Sequence, residues 1–388
     1  MAQPRRICVV TGSRAEYGLL YWVLRDIRDS VSLELQLVAT GTHLEPGFGM
    51  TVEQIEADGF TVDRRVFIDL AEDTAGAIAR AMGRAVVGVS EALEALAPDV
   101  MLVLGDRFEI MAAVQAAMIH GVPVAHIAGG DTTEGAFDEA IRHAITKMSH
   151  VHLTTNAGSA GRVAQMGEAA SRIHVVGSPG LDHLRRRPLM SQTELEGALG
   201  VPLGARNALI TFHPVTLAAG QGVGQFRALL DALDSLPGNF VKWMTRPNAD
   251  PGNHAIAEML DQWAKGRPDV HVYTSLGQAR YLALMSLSDI VIGNSSSGLY
   301  EAPSFKIPTV DVGDRQGGRL AAASVVRAKA TATAIRNAID QALAMDCSHV
   351  VNPYGDGRSA GRIVSVLEHL PPRGTLLHKV FQDAATVG

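Results

Sequence analysis

The chain has 388 residues, of which 47% are hydrophobic and 19% charged, and its formal net charge is −6. This composition indicates a soluble globular protein of about two domains and excludes a disordered chain. The negative charge provides no general attraction for nucleic acid or an acidic membrane surface, and no uncharged apolar stretch is long enough to span a bilayer.

The chain contains only two cysteines, Cys8 and Cys347. Cys8 lies within an apolar strand pattern, so we expect it to be buried as a small hydrophobic residue. No disulfide framework is indicated, and the apolar run near the N-terminus is too short for a signal peptide. These features predict a cytoplasmic protein.

Short β-branched apolar runs alternate with longer amphipathic segments. The first half contains about seven such runs, from RICVVTG to IHVVGSP, and the second about six, including ALITFHP, NFVKWMT, DVHVYT, DIVIGN and IPTVDVGD. This alternation predicts an α/β fold with parallel strands buried on both faces. Helical spacing of apolar residues predicts helices at 74–97, 107–121, 138–150, 222–236, 254–266 and 331–345.

A stretch rich in Gly, Pro and Arg, residues 177–190, marks the crossing between the two halves. We therefore predict two Rossmann-like domains that face a central cleft, at 1–180 and 181–369. A last helix, at about 374–387 within the segment 370–388, is expected to return to the first domain.

Ligands of open parallel sheets bind beyond the carboxyl ends of the strands. Almost every predicted strand end carries a charged or hydrogen-bonding side chain beside a glycine, and such charges are costly unless they are paired or in use. None of these loops contains G-x-G-x-x-G, and no His/Cys/Asp cluster has metal-ligand spacing. We therefore predict neither a nicotinamide cofactor nor a metal ion.

One strand end, in the stretch DIVIGNSSSGLYEAPSF at residues 289–305, has three consecutive serines. Small residues at a helix N-terminus allow a phosphate to approach the free N–H groups. The alternative is that Ser295 simply caps a helix. The stretch lacks the Gly-Lys-Ser/Thr of a P-loop, so a bound phosphate would need positive charge from elsewhere.

Seven motifs in this order resemble the UDP-N-acetylglucosamine 2-epimerase family, in particular its hydrolysing branch. They span residues 12 to 319: GSRAEYGLL, LGDRFEIMAA, HIAGGDTTEGAFDEAIRHAITKMSH, FHPVTL, RPNAD, IGNSSSGLYEAPSF and GDRQGGR. The resemblance implies the two-domain GT-B-like fold of nucleotide-sugar enzymes, with the UDP site in the second domain. It also implies a role in the biosynthesis of sialic-acid-type or legionaminic-acid-type sugars.

The resemblance implies which residues bind the substrate. Ser295 and Ser296 would hold the diphosphate, Glu301 would accept hydrogen bonds from the ribose, and arginines from other strand ends would supply the charge that the missing lysine does not. The complete set of expected substrate-binding residues is Arg14, Arg107, Glu139, His213, Asn248, Asn294, Ser295, Ser296, Gly298, Glu301 and Arg315.

The implied reaction removes the C2 proton, expels UDP to form a glycal, and then adds water at C1 and a proton at C2. Such chemistry needs positioned acids and bases. The expected catalytic residues are Asp106, with Arg107 as its neighbouring charge, and His126, Asp131, Asp138 and His213.

Each catalytic candidate also has a structural interpretation. The acids near helix starts, including Glu139, would be favoured there by the helix dipole, and strand-end histidines are often structural hydrogen bonders. The chain departs from the family pattern at Ala128, where some members carry a glutamate. Asp131, three residues later, is the nearest acid.

Three alternative functions remain open from the sequence: a non-hydrolysing 2-epimerase, a glycosyltransferase of the same fold, and a non-catalytic UDP-sugar sensor. The sugar is expected to be N-acetylglucosamine or a 2,4-diacetamido-2,4,6-trideoxy analogue. The expected partners are the UDP-sugar, the UDP product and a second or further copy of the chain, as a homodimer or homotetramer.

Overall fold

The computed structural model describes residues 3–72, 74–132, 138–213, 221–246 and 253–383. The chain divides into two compact units, of which the first comprises Met1–Arg185 and Tyr354–Gly388 and the second Arg186–Pro353. The crossing therefore falls within the predicted stretch 177–190. Within these described ranges, no helix is both long enough and apolar enough to cross a membrane.

The first unit is built on a parallel sheet whose strands are largely buried on both faces. Its strands are β1 (Arg5–Thr11), β2 (Leu33–Thr40), β3 (Arg64–Val66), β4 (Val100–Leu104), β5 (Val124–Ile127), β6 (Val151–Thr154) and β7 (Ile173–Val175). They lie in the order β3-β2-β1-β4-β5-β6-β7. The helices are α1 (Arg14–Asp29), α2 (Val52–Ala57), α3 (Ala75–Leu96), α4 (Phe108–Ile119), α5 (Asp138–Met148), α6 (Ala157–Gln165) and α7 (Asp182–Arg186).

The second unit has the same architecture with one strand fewer. Its strands are β8 (Arg206–Thr211), β9 (Phe240–Thr245), β10 (Val270–Tyr273), β11 (Ile290–Gly293), β12 (Thr309–Val312) and β13 (Val325–Ala328), in the order β10-β9-β8-β11-β12-β13. Its helices are α8 (Gln192–Leu199), α9 (Gln221–Leu233), α10 (Asn253–Ala264), α11 (Gly277–Ser286), α12 (Ser297–Tyr300) and α13 (Ala332–Leu343). The predicted α/β class with two Rossmann-like domains is confirmed.

The chain returns to the first unit at Tyr354, earlier than the predicted position near 370. The reason lies in α14 (Ser359–Glu368), whose Ile363 and Leu367 are fully buried in the core that also contains residues of α1. The first N–H groups of α14, those of Ser359 and Ala360, donate to the Asp182 carboxylate at 2.8 and 2.9 Å. Apolar burial and this cap both hold α14 in the first unit.

The predicted helix at 374–387 is shorter in the structure, because α15 (Arg373–Leu377) ends at Leu377. The chain beyond it bonds to the first unit instead of to itself. Lys379 Nζ donates to Glu168 Oε2 at 2.8 Å and to two backbone carbonyls at 2.7 Å each. The N–H of Gln382 donates to the Gly167 carbonyl at 2.9 Å, so this segment cannot continue the helical ladder.

Both cysteines are buried and free, as expected for Cys8. Burial raises the pKa of the Cys8 thiol to about 12. The thiol therefore stays protonated in the core and acts as a packing residue.

Candidate active site

The first sheet has its switch point between β1 and β4, where the strand order reverses. Loops that leave such neighbouring strands diverge and open a crevice, which is the usual ligand site of a doubly wound sheet. Gly12, Ser13 and Arg14 follow β1, and Asp106 and Arg107 follow β4. The structure therefore brings three of the predicted site residues to one edge of the sheet.

Two glutamates that the sequence analysis did not select are buried beside this switch point. Glu109 in α4 is fully buried, and its Oε1 accepts from Arg107 Nε at 2.5 Å. Glu16 in α1 is 5% exposed, and its Oε2 accepts from the Gly12 N–H at 2.9 Å. A Cβ on Gly12 would overlap the Glu109 carboxylate, so glycine is needed there. Among the described residues, no hydrogen-bond partner faces Glu16 Oε1 or Glu109 Oε2.

Burial changes the protonation of these two carboxyl groups. Loss of hydration raises the pKa of Glu16 to about 8, and the negative charge of Glu109 adds to this rise. Burial also raises the pKa of Glu109, against the lowering effect of Arg107. Near neutral pH the Glu16 carboxyl is therefore mostly protonated.

Asp138, a predicted catalytic residue, lies at the start of α5 and is partly exposed. Burial raises the pKa of Asp138, and the positive charge of Arg107 opposes the rise. Arg107 therefore interacts electrostatically with Asp138 as well as with Glu109 and Glu16. A partly exposed carboxyl with a raised pKa, beside a fixed cation, is suited to accept and return a proton.

Asp106 is paired with a residue that the sequence analysis did not select. Its carboxylate forms an ion pair with Nη2 of Arg142 in α5, rather than with its neighbour Arg107. The Arg142 side chain is only 7% exposed, and its Nη1 donates to the Asp131 carbonyl at 2.7 Å. Glu139 Oε2 lies 3.8 Å from the same nitrogen. Arg142 thus connects three predicted site residues and fixes their relative positions.

His126, another predicted catalytic residue, is fully buried. Its Nε2 donates to the Gly105 carbonyl at 2.7 Å, and its Nδ1 lies 3.3 Å from Thr146 Oγ1. Burial lowers the pKa of His126 to about 4, so the ring is neutral at physiological pH. Both ring nitrogens are used within the fold, which matches the structural alternative for this histidine.

Asp131 is also turned toward the fold. Its Oδ1 accepts from Thr155 Oγ1 and Ser159 Oγ, each at 2.6 Å. The backbone turns sharply before Asp131, because Ala128 has φ +65° and Gly130 has φ +78°. Asp131 thereby fastens the end of β5 to the start of α6, and the departure at Ala128 falls at the first residue of this turn.

Arg14 is the exposed first residue of α1. Among the residues that the structure describes, none forms a recorded hydrogen bond or ion pair with its guanidinium group. A guanidinium at this edge of the sheet is suitably placed to bind an anion.

The second sheet has its switch point between β8 and β11. Gly293 ends β11 with φ +138°, and a Cβ there would overlap the Thr211 carbonyl, so the ends of the two strands approach closely only with glycine. His213 follows β8, and the serine run follows β11. These predicted residues are therefore neighbours at one edge.

Asn294 holds the backbone of His213. Its Oδ1 accepts from the His213 N–H and its Nδ2 donates to the His213 carbonyl, both at 2.7 Å. Asn294 is 1% exposed, and its own carbonyl accepts from Arg315 Nη1 at 3.0 Å and from Gln316 Nε2 at 2.8 Å. Asn294, predicted to bind substrate, is thus a buried connector that positions His213 and Arg315.

The serine run leads into α12, which has only four residues. Ser296 is its N-cap residue without a side-chain capping bond, whereas Ser295 Oγ accepts from the backbone N–H of Ser297 at 3.4 Å, so the interpretation of Ser295 as a helix cap keeps structural support. Ser295 Oγ also accepts from Ser297 Oγ at 3.0 Å. All three serines are partly exposed, which leaves their hydroxyl groups accessible from the sheet edge.

Glu301 follows α12 and is partly exposed. Loss of hydration raises the pKa of Glu301 to about 7. Gly298, predicted to bind substrate, is buried against Thr309, whose side chain a Cβ would contact, and its carbonyl accepts from Thr309 Oγ1 at 3.1 Å. Gly298 therefore allows α12 to pack closely on β12 and places Glu301 near the serines.

Arg315 lies on the loop after β12 and is exposed. Asp311 in β12 is 2% exposed, and burial raises the pKa of its carboxyl to about 6 in spite of the charges of Arg327, Arg319 and Arg315. Three arginines therefore interact electrostatically with this buried acid, and Asp314 adds one further negative charge. This excess of positive charge is favourable for a bound anion.

Asn248 lies outside the described residues, as does most of the stretch that follows His213. Within the described part of the chain, no group of three or more His, Cys, Asp or Glu residues is arranged to hold a metal ion.

The sequence analysis missed Glu16, Glu109 and Arg142 for a common reason. Glu16 and Glu109 lie in the first turns of α1 and α4 and Arg142 in the second turn of α5, beyond the strand-end loops on which the analysis concentrated. The sequence signal that could have identified them is a charged residue on the apolar side of a helix, because a charge is buried there only if it has a partner or a function.

The sequence model of the UDP-N-acetylglucosamine 2-epimerase family matches residues 25–368. A hydrolysing UDP-N,N'-diacetylbacillosamine 2-epimerase from Legionella pneumophila is 35% identical over 97% of this chain and 98% of its own. A hydrolysing GDP/UDP-N,N'-diacetylbacillosamine 2-epimerase from Campylobacter jejuni is 36% identical over 83% and 84%. The solved UDP-GlcNAc 2-epimerase from Neisseria meningitidis has the same fold, with a TM-score of 0.75 at 20% identity over 93% of this chain and 99% of that one.

Proposed function

This chain belongs to the UDP-N-acetylglucosamine 2-epimerase family, and from that premise we propose that it is a hydrolysing 2-epimerase. It converts a UDP-2-acetamido sugar into UDP and the free sugar inverted at C2. Two relatives that match most of the chain at 35% and 36% identity are named as hydrolysing enzymes of this kind, which supports the hydrolysing reaction over the non-hydrolysing one.

One structural observation carries the proposal. At the first switch point, buried and half-buried carboxyl groups with raised pKa values surround Arg107, and at the second switch point hydroxyl groups and arginines surround an accessible loop. The first arrangement is suited to proton transfer, and the second to an anionic leaving group.

The proposed reaction balances as follows. A base takes the C2 proton, the C1–O bond breaks, and UDP leaves with the electron pair of that bond, which gives a C1=C2 glycal. Water then adds its hydroxyl group at C1, and a proton is delivered to C2 from the opposite face. The C2 proton is weakly acidic, so stabilisation of the departing diphosphate lowers the barrier directly.

We assign the proton transfers to Asp138, Asp106 and His213. Asp138 has a raised pKa and is partly exposed, and Asp106 is held in place by Arg142. His213 has its backbone fixed by Asn294. His126 and Asp131 are assigned positioning roles, because their polar atoms bond to the fold.

We assign the nucleotide to the residues of the serine loop and its surroundings. Ser295 and Ser296 donate to the diphosphate, and Glu301 accepts from the ribose hydroxyl groups. Arg315 supplies positive charge within the same unit, and Arg14, Arg107 and Glu139 retain their sequence-based assignment to the substrate. Asn248 retains its sequence-based assignment to the substrate, whereas Asn294 and Gly298 shape the loop without contact to the ligand.

For the sugar we propose the 2,4-diacetamido-2,4,6-trideoxy class, because the two relatives carry that substrate in their names. UDP-N-acetylglucosamine is the second candidate. Either product is a mannosamine-type sugar, which would feed a sialic-acid-type or legionaminic-acid-type pathway. We propose that the enzyme acts as a homodimer or homotetramer, and sedimentation of the purified protein tests this.

Turnover in isotopic water tests the proposal. With each UDP-sugar, reaction in D₂O should place deuterium at C2, and reaction in H₂¹⁸O should place label at C1 of the first product, read before spontaneous anomeric exchange. A simple hydrolase would retain protium at C2. A non-hydrolysing epimerase would exchange C2 but return a UDP-sugar, and a sensor would bind UDP without turnover. Retained protium at C2 with unchanged stereochemistry contradicts the proposal.

A further inference from the structure

A tyrosine from α11 lies beneath the serine loop at the second switch point. Tyr281 OH is 2.7 Å from Ser297 Oγ and 3.4 Å from Thr211 Oγ1 at the end of β8. Thr211 Oγ1 is in turn 2.9 Å from Thr245 Oγ1 at the end of β9. Together with Ser295, these residues form a continuous chain of five hydroxyl groups, which we call the hydroxyl chain.

Along the hydroxyl chain, the hydrogen bonds are all donated in the same direction. Ser297 Oγ donates to Ser295 Oγ at 3.0 Å, and a hydroxyl group has only one proton. Ser297 must therefore accept from Tyr281, Tyr281 must accept from Thr211, and Thr211 from Thr245. At the end of the chain, Ser295 accepts from Ser297 and keeps its own proton for a bond outside the chain.

We propose that Tyr281 is a positioning residue that directs the Ser295 hydroxyl as a hydrogen-bond donor toward a bound diphosphate. This inference rests on the proposed function, since the diphosphate is that of the UDP-sugar. A phenol donates more strongly than an aliphatic hydroxyl, and successive hydrogen bonds polarise one another, so Tyr281 strengthens the donor at the end of the chain. Tyr281 acts only through the serines, in contrast to Arg315, whose charge acts directly.

The surroundings of Tyr281 support this role. Burial and then the charge of Glu301 raise the pKa of the phenol, so it remains a protonated donor. Thr211 is 6% exposed, and a Cβ on Gly293 would overlap its carbonyl, so the backbone of the residue that donates to Tyr281 is closely packed at the strand end.

A double-mutant cycle tests the inference with UDP as the ligand. We expect Tyr281→Phe to lower UDP affinity about fivefold, the effect of one neutral hydrogen bond, and Ser295→Ala to lower it about tenfold. The double variant should lose no more than Ser295→Ala alone, because Tyr281 acts through that hydroxyl. Independent, multiplying losses would overturn the inference, and so would an unchanged affinity in Tyr281→Phe.

Tyr273→Phe is the matched control. Tyr273 is a partly buried tyrosine of the same unit, but its hydroxyl donates to the Leu199 carbonyl at 3.4 Å, outside the hydroxyl chain. Its removal should leave UDP affinity within about twofold of the wild type. If Tyr281→Phe does not fold, Ser297→Ala interrupts the same chain and is tested in the same cycle. A wild-type protein that binds no UDP would contradict the proposed function, whereas failure of the cycle alone contradicts only the role of Tyr281.

Discussion

The two sheets have the same topology but different chemistry at their switch points. At the first, Glu16, Glu109 and Asp138 surround Arg107, and each of these acids has a raised pKa. At the second, the groups at the strand ends are mainly hydroxyl, amide and backbone groups, fixed by Asn294. One repeated architecture therefore provides a site suited to moving protons and a site suited to holding a charged ligand.

This difference follows from what each arrangement costs. Buried carboxyl groups destabilise the fold unless they are protonated or paired, and such groups commonly occur where a reaction uses them. Hydroxyl groups that bond to one another in sequence satisfy most of their hydrogen-bonding capacity at little cost, so the second site can be organised before the ligand binds. We expect mutations at the first site to change turnover and mutations at the second to change affinity.

The largest test of this division is Asp138→Asn. The amide cannot transfer the proton, so turnover should fall by about 10²–10⁴-fold while UDP affinity stays within about twofold. UDP release under saturating substrate and calorimetry with UDP measure the two quantities. Glu94→Gln, which changes an exposed acid near the C-terminal end of α3, is the control and should retain wild-type turnover. Turnover within threefold of wild type in Asp138→Asn would remove its catalytic assignment.

A second test could contradict the division between the two sites. His213 lies at the second switch point, where we expect mutations to change affinity, but it is assigned to proton transfer. His213→Ala should lower turnover about 100-fold and leave the protein folded, since Asn294 binds the His213 backbone rather than its ring. Thermal unfolding checks the fold and UDP release checks the activity. Near wild-type turnover would make His213 structural and leave the second unit without a role in proton transfer.

The fold was largely predictable because buried parallel strands produce β-branched runs that are easy to detect. The exceptions have physical causes. β13 was not identified because its four residues, Val325–Ala328, are mostly partly exposed and include Arg327. The C-terminal helix was overpredicted because Lys379 bonds to Glu168 across the fold, a tertiary contact that local spacing cannot reveal.

The candidate site was predictable only at the strand ends. Glycines and charges after β4 and β11 directed attention to Asp106 and Ser295, and the structure places both residues at switch points of the sheets. Arg142, the partner of Asp106, lies 36 residues after it, and Tyr281, which bonds to Ser297 of the serine run, lies 16 residues before that serine. Such separations are set by how helices pack on a sheet, and a single sequence contains no direct record of them.

A third test concerns affinity. Glu301→Ala should weaken UDP binding by about 1–3 kcal/mol, because it removes the carboxylate to which we assign the ribose hydroxyl groups, while turnover at saturating substrate stays within about threefold. Calorimetry and initial rates measure these effects. The same variant would contradict the division between the two sites if its turnover fell as far as that of Asp138→Asn with unchanged affinity.

The smallest expected effect is a pH dependence that belongs to the second site alone. The pKa of Glu301 is raised to about 7 without ligand, so the carboxyl is mostly protonated below that pH and ionised above it. In our assignment the ribose hydroxyl groups donate to the ionised form, so binding should lower this pKa and release a proton. UDP affinity should therefore rise about threefold between about pH 6.5 and 7.5, because the fraction of Glu301 in the ionised form increases over this range.

UDP itself also titrates in this range, so the wild type must be compared with Glu301→Gln. The titration of UDP contributes equally to the pH dependence of affinity in both proteins. The glutamine variant should lack the additional threefold rise, and calorimetry in two buffers of different ionisation enthalpy should show less proton release. Glu16→Gln, at the first site, should leave the pH dependence of UDP binding as in the wild type although the pKa of Glu16 is also raised, because that carboxyl does not face the nucleotide in our assignment. If Glu16→Gln removes the rise and Glu301→Gln keeps it, the assignments of nucleotide and proton transfer to the two sheets must be exchanged.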